Sequence, residues 1–496
     1  MGKNMRNLFA DYVYLREETG QKPSSSSESV TSRIKLQKKE GSKDFGPFVI
    51  NKNNHANLKF LVKAFLESDK VGLGYTTIDK SKGEIEPQLK KKSLYLTGGA
   101  VRDHLKGKTP RNYDLVTDAT ASEVRLILTN AGFTETKPRG DHYLKGDLPA
   151  AGTKNKIFYV TRKDKKGKEL EFTVEVNGEK FELASFSKCC KSRKIQPDDA
   201  ETAASIEEDS QNRDFTINSL YIPLTNADGD NSDLIDPHGG ANHLQGKEVK
   251  AVRNEFGKRL EEDPSTALKY IRFVSKYGNA DQMPKDYIDL ILKHKDLNNV
   301  SKEDIRDEFL SGLENIDVDP KKYLSAYKNT GLLGSVLPDA SFDEEDVPED
   351  FKGDRWLSSA YLLKDKDSDE VKNSLIEKGW SKQEASDIAY LVKLYQWSKK
   401  GFDSKDFYDL KHLHNGLTKG KLKDWLAMSK IAGPEIDSFL DHDDSDLTPY
   451  VSGEGKRTVN PEFVKILGRV PQGHEFESVK RSLSTKKWKD LLDKGK

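Results

Sequence analysis

Apolar residues recur in two rhythms along this chain, and the change from one to the other divides it. Between positions 94 and 186, short apolar runs alternate with helical spacings. Residues 94–97 read as a strand, 100–105 as a helix stopped by Gly107, and 113–116 as a second strand. Ser122 fits an N-cap for a helix over 123–130, which places Val124, Ile127 and Leu128 on one face before Gly132 ends it. Segments 157–161, 171–176 and 180–186 are strand-like, with Asn177-Gly178 as the hairpin turn between the last two. These elements predict a twisted mixed sheet with helices on one face.

The flanks read differently. Leu58, Leu61, Val62 and Phe65 space as a helix over 56–66, where ordered structure is expected to begin. The first 45 residues hold a possible short helix at 8–15, a serine tract and a basic stretch, a composition that suits a tail or tether. After Asp236-Pro237-His238-Gly239-Gly240 the rhythm is helical. Asp263 and Pro264 read as an N-cap and first-turn proline ahead of Leu268, Ile271 and Val274. Ser381 and Glu384 form a capping box before Ile388, Leu391, Val392 and Tyr395. Residues 340–355 are acidic and broken by prolines, as a linker would be, and 480–496 is a lysine-rich helix around Trp488, Leu491 and Leu492. The expected organisation is a flexible extension over 1–50, a mixed α/β head over 51–225, a helical neck over 226–340 and a helical tail over 341–496.

Composition narrows the class. The 496 residues carry 82 Lys and Arg against 82 Asp and Glu, so bulk charge gives no sign of a nucleic-acid binder and any such role rests on local patches. Basic stretches at 154–168, 188–194 and 480–496 are candidates for tracking an RNA backbone, although such runs also serve as solvated faces. No apolar run approaches the ~20 residues needed to cross a bilayer. The two cysteines, Cys189 and Cys190, are adjacent and cannot staple distant segments, which points to a reducing, cytoplasmic setting.

The chemistry sits where strand meets helix. Gly98 and Gly99 follow a buried strand and open a helix, so backbone N–H groups there can approach a phosphate. Arg102 lies in that helix and can reach a phosphate or pair with Asp103. Asp114, on the next strand, and Glu182, on a later one, are carboxylates on rigid elements. Clustered there, they suit a divalent cation that neutralises a leaving pyrophosphate. Arg213, Asp214 and Asn218 read as a short helix with Asp214 and Asn218 one turn apart.

Four segments stand in order: Gly98-Gly99-Ala100-Val101-Arg102-Asp103 with Asn112-Tyr113-Asp114; Phe181-Glu182; Asn212-Arg213-Asp214-Phe215-Thr216-Ile217-Asn218; and Glu262-Asp263-Pro264-Ser265-Thr266. This series resembles the class II tRNA nucleotidyltransferase (CCA-adding enzyme) and bacterial poly(A) polymerase family, within the polymerase-beta-like superfamily. The resemblance covers 94–278. It implies an α+β chain: a small mixed-sheet nucleotidyltransferase head followed by helical neck and tail. It implies transfer of CMP or AMP from CTP or ATP to an RNA 3′ end, that of a tRNA in CCA addition, with Mg²⁺ on Asp114 and Glu182 and Asn112 as a weaker third ligand. Gly98, Gly99, Arg102 and Arg213 would hold the triphosphate, Asp214 and Asn218 the ribose, and Asp263 the base.

The sequence departs from that family at four places. Asn112 stands where the first metal-binding Asp is usual, Asn212 and Thr266 where arginines are usual, and Ser187 where an arginine follows the third carboxylate. Two readings follow: a divergent enzyme, or a catalytically degenerate relative acting as an RNA-binding or assembly protein. Protein partners and oligomeric state have no signature here.

Overall fold

The protein is described from a computed structural model. It describes residues 33–36 and 46–494 with internal breaks, the longest at 137–155, 187–204 and 430–438. The helix expected at 8–15, both cysteines, Ser187 and the basic stretch at 188–194 lie outside the described residues.

The centre of the fold is a nine-stranded sheet. Its strands are β1 (Arg33–Lys35), β5 (Leu94–Thr97), β6 (Tyr113–Thr117), β7 (Thr134–Glu135), β8 (Lys156–Lys163), β9 (Glu169–Val176), β10 (Glu179–Ser185), β11 (Tyr221–Pro223) and β13 (Asp233–Ile235). They lie in the order β1-β13-β11-β5-β6-β10-β9-β8-β7. Two pairs are parallel, β6 with β10 and β7 with β8, and the rest antiparallel. The mixed sheet predicted from the apolar runs is therefore present. Asn177 and Gly178 both take positive φ in the β9–β10 turn, as a tight hairpin needs.

Alternation sets the two faces. Tyr113, Leu115, Phe181 and Leu183 point into the main core, which continues through the helices. Helix α1 (Leu58–Leu66) buries Leu58, Leu61, Val62 and Phe65 there. The opposite face carries Val116, Tyr221, Ile235, Phe186 and Ile206 in a smaller cluster, with Tyr95 and Ala184 against it. Asp114 and Glu182 fall on this second face by parity, and the smaller cluster floors the region beyond them.

Several expectations need correcting. The first 50 residues are not uniformly a flexible extension. Ile34 pairs with Leu234 in an edge strand, and β2 (Phe48–Val49) pairs with β12 (Asp230–Asn231), burying Leu36, Phe48 and Ile50, while β3 (Thr77–Asp79) and β4 (Gly83–Ile85) form a separate antiparallel pair. Arg33-Ile34-Lys35-Leu36 does alternate, but so short a run amid basic residues reads as part of the charged stretch. The head sheet also runs past 225, since β13 lies inside it. Helix α2 spans Gly98–Leu105 and so begins on the glycines themselves. Helix α3 (Ala121–Asn130) is capped by Thr120, not Ser122, because Thr120 forms the reciprocal capping box with Glu123.

Beyond the sheet come α4 (Ile206–Gln211), α5 (Gly240–Gly246), α6 (Phe256–Glu262) and α7 (Thr266–Tyr277). Further helices follow to Lys494, interrupted by one hairpin of Tyr450–Gly453 and Lys456–Val459. The capping box at Ser381 opens an 18-residue helix as expected, and Glu475–Lys494 contains the expected C-terminal helix. Among the described residues no helix is long and apolar enough to cross a membrane.

Candidate active site

β5 ends at Thr97 and the chain turns directly into α2. The Thr97 hydroxyl donates to the Leu220 carbonyl at 3.0 Å and so does not cap the helix. First-turn N–H groups are thereby left facing the sheet. Gly99 N–H donates to Asp114 Oδ2 at 3.3 Å. Gly98 takes φ +62, and a Cβ there would stand 2.7 Å from the same oxygen. Glycine is thus required twice over, for the left-handed backbone and for the close carboxylate.

Asp114 pairs across the sheet with Glu182 in parallel register. Their Cα atoms occupy adjacent strands, about 4.8 Å apart by strand spacing, and their side chains share a face. Asp114 is half-buried and Glu182 exposed. Asn112 is a correction. It precedes β6 in a bend, is exposed, and is not among the residues lining the cleft beside Asp114. Among the described residues no three His, Cys, Asp or Glu side chains form a metal-holding group.

That cleft has two lobes. The larger, about 340 Å³, runs from Gly98, Gly99 and Asp114 to Asp263 and α7. The smaller, about 270 Å³, lies over the sheet between Asp114, Glu182 and Glu171. Asp114, Asn212 and Arg213 border both. The larger lobe is within the size range of ordinary small-ligand pockets.

Arg102 reaches back under the turn. It donates to Asn218 Oδ1, and its guanidinium sits 5.1 Å from the centres of both the Phe273 and Tyr277 rings. Its Nε has no hydrogen-bond partner among the described residues although the side chain is buried. The expected alternative pairing with Asp103 gives way to Asn218, since neighbours on a helix do not face each other. Asn218 donates in turn to Asp214 Oδ1 at 2.6 Å, which also accepts the Phe215 N–H at 2.8 Å. A continuous chain Arg102–Asn218–Asp214 therefore runs along the cleft wall. The expected helix over these residues is a correction: Arg213 and Asp214 lie in a bend after α4, and a 3₁₀ turn, Thr216–Asn218, supplies the contact instead.

Arg213 is more constrained than the sequence suggested. Its Nε and Nη2 donate to Asp209 Oδ2 at 3.0 and 2.8 Å, and the Tyr221 hydroxyl donates to the same oxygen at 2.8 Å. Burial alone would lower the Arg213 pKa, but Asp209 and Tyr221 raise it on balance, so it is a permanent cation. Burial raises the Tyr221 pKa, keeping the phenol neutral.

Asp263 lies before α7 rather than capping it, because the helix starts at Thr266. Its Oδ1 accepts the Ser265 N–H at 3.0 Å and hydroxyl at 2.6 Å, and its Oδ2 is 3.3 Å from Lys269 Nζ. Thr266 is buried at the cleft wall. Sequence reasoning passed over Glu171, Asp209, Arg259, Lys269 and Arg272, which also line the cleft. For Lys269 and Arg272 a signal existed: with Thr266 they recur every third residue, one face of α7.

Part of the chain is similar to known proteins. Residues 94–250 match the poly(A) polymerase head domain. Poly(A) polymerase I of Salmonella typhi is 33% identical over 184 residues, 37% of this chain and 34% of that protein. The CC-adding tRNA nucleotidyltransferase of Halalkalibacterium halodurans is 27% identical over 184 residues, 37% of this chain and 35% of its own length. The chain thus spans about a third of the length of these curated relatives. In fold, the CCA-adding enzyme of Bacillus stearothermophilus, solved in complex with CTP, superposes with a TM-score of 0.51 at 18% identity, covering 82% of this chain and 93% of that one. Residues 94–250 are thus similar to the poly(A) polymerase head domain, and the same part of the chain is similar to bacterial poly(A) polymerases and tRNA nucleotidyltransferases.

Proposed function

We propose that the protein is a template-independent RNA 3′-end nucleotidyltransferase that transfers AMP or CMP from ATP or CTP. One observation carries this reading: Asp114 and Glu182 occupy paired positions on adjacent strands, at the mouth of a glycine turn that opens into a cation-lined cleft. The relatives named above support the reaction class, and the CTP complex of the structural neighbour supports the ligand class.

The donor set fits Mg²⁺. Hard oxygen ligands are present, and Mg²⁺ commonly takes one or two carboxylates and leaves its other positions to water and substrate phosphates. Asp114 and Glu182 would hold it, and Asn112 drops out of the set because it stands outside the cleft. When bound, such an ion lowers the pKa of the attacking hydroxyl and offsets the charge of the departing pyrophosphate. The chain's own groups do the remainder. The Gly98–Gly99 turn and Arg102 receive the triphosphate, and Arg213 adds a fixed positive charge between the two lobes. Asp214 and Asn218 orient the ribose. The RNA 3′-oxygen forms its bond to the α-phosphorus as the bond to the bridging oxygen breaks. Pyrophosphate leaves and the hydroxyl proton passes to solvent.

The test is incubation of the full chain with radiolabelled ATP or CTP, Mg²⁺ and tRNA lacking its 3′ end. Incorporation that disappears in Asp114→Ala is the expected result, and no incorporation by the unaltered protein overturns the reading. The second reading, a silent RNA-binding relative, draws on the lack of a third clustered carboxylate among the described residues. It predicts RNA binding without incorporation in the same experiment.

A further inference from the structure

The cleft end opposite the glycine turn carries an ion pair between α7 and the residues just before it. Thr266 brings no charge there and is 3% exposed. One turn further along the same face of α7, Lys269 extends its ammonium to 3.3 Å from Asp263 Oδ2. The other cations nearby are tied elsewhere. Arg272 Nε is held by Glu308 at 2.7 Å with its guanidinium over Phe273, and Arg259 donates to Glu262 and to the Gln211 carbonyl. Arg259 and its partner Glu262 line the cleft too, but Arg259 is buried and bound to a backbone carbonyl, whereas among the described residues Lys269 is held by Asp263 alone.

A carboxylate beside an ammonium offers an acceptor and a donor side by side. Adenine and cytosine present the complement, an exocyclic amine next to an unprotonated ring nitrogen. Guanine and uracil present the reverse order, an exocyclic oxygen next to a ring N–H. At 3.3 Å the Asp263–Lys269 contact is longer than a tight charge-assisted hydrogen bond, so a base edge can insert at little expense. Asp263 is fixed by Ser265, whereas Lys269 is a point charge on a flexible stem. That stem can follow a purine or a pyrimidine edge, which lie at different distances from the sugar.

We propose that Lys269, acting with Asp263, is the base-selecting cation of this chain, donating to the ring nitrogen of adenine or cytosine while Asp263 accepts from the amine. This rests on the nucleotidyltransferase reading above. Base selection has then moved one helical turn from position 266 instead of being lost.

The test is calorimetric titration of the full chain with ATP, CTP, GTP and UTP in the presence of Mg²⁺, on the unaltered protein and on Lys269→Met and Lys269→Arg. The unaltered protein should bind ATP and CTP on the order of tenfold tighter than GTP and UTP, the value of one charged hydrogen bond. Lys269→Met should erase that ratio, and Lys269→Arg should keep it. Ratios in Lys269→Met equal to those of the unaltered protein overturn the assignment and leave the nucleotidyltransferase reading standing. Failure of the unaltered protein to bind any triphosphate overturns both.

Discussion

Gly98→Ala separates two things that the active-site turn does at once. A Cβ at position 98 would lie 2.7 Å from Asp114 Oδ2, where an ordinary contact needs at least 3.4 Å, so the carboxylate must withdraw by about 0.7 Å. Asp114 has little room to comply, being short, seated in mid-sheet and bonded to Gly99 N–H. The φ of +62 adds backbone strain of about 1–2 kcal/mol for any L side chain. Gly132→Ala supplies the control. Its φ is +81, and a Cβ there meets nothing within 4 Å, so it carries the strain without the displacement. Gly98→Ala should lose at least as much stability as Gly132→Ala in chemical denaturation. Only Gly98→Ala should lose incorporation, on the order of 10²-fold, since a shift approaching 1 Å in a reacting group has that effect. Incorporation by Gly98→Ala within threefold of Gly132→Ala would refute the idea that the turn exists to seat Asp114.

Two further outcomes follow from the wall of the cleft and its surroundings. Asp209→Ala removes the acceptor shared by Arg213 and Tyr221 and strands a mostly buried guanidinium. It should destabilise the protein by about 3–5 kcal/mol, and a loss below 1 kcal/mol in urea denaturation would show that Arg213 repartners freely. His55, His104, His238 and His243 all have lowered pKa values, with burial the largest cause in each. The folded state therefore binds fewer protons than the unfolded chain. Their contribution is complete above the unfolded value of about 6.5 and is lost as pH falls through the folded values. Stability should drop between pH 7.5 and 5, and less steeply in His55→Gln, which replaces a ring whose Nδ1 lies 2.6 Å from the Tyr113 hydroxyl. An unchanged slope in that variant would remove His55 from the account.

What could be read from the sequence was whatever a local pattern specifies. Leu94–Thr97 alternates and abuts two glycines, and the structure begins and ends the strand there. Asn177-Gly178 dictates its own turn, and Ser381 with Glu384 dictates its own cap. Errors arose where two local readings compete. Thr120 and Ser122 are both plausible caps, and the choice turns on which stands three residues before Glu123. The spacing of Asp214 and Asn218 suits a helical turn, yet a bend followed by a 3₁₀ turn brings the same two side chains together. Beyond local pattern nothing pointed to Asp209 as the partner that fixes Arg213, or to Arg33–Lys35 as an edge strand, because those identities depend on chain crossing a sheet.

Position 266 shows the same limit more sharply. Compared column by column, Thr266 is a missing cation and the site is damaged. On a helix, however, residues three apart are neighbours whose long side chains cover the same patch of surface. Lys269 reaches the carboxylate of Asp263 from the next turn, so the charge absent from one position is supplied from another. Asn112 has no such neighbour. It lies in the bend before β6, outside the strand and the cleft lining, and among the described residues no three His, Cys, Asp or Glu side chains form a metal-holding group. A helix can relocate a lost function by one turn; a lone bend residue ahead of a strand cannot. The cation side of this cleft is therefore repaired and the metal side is reduced to two carboxylates. Restoring the acid at 112 and removing the ammonium at 269 are accordingly unequal perturbations, the first acting at a position outside the cleft and the second on its wall.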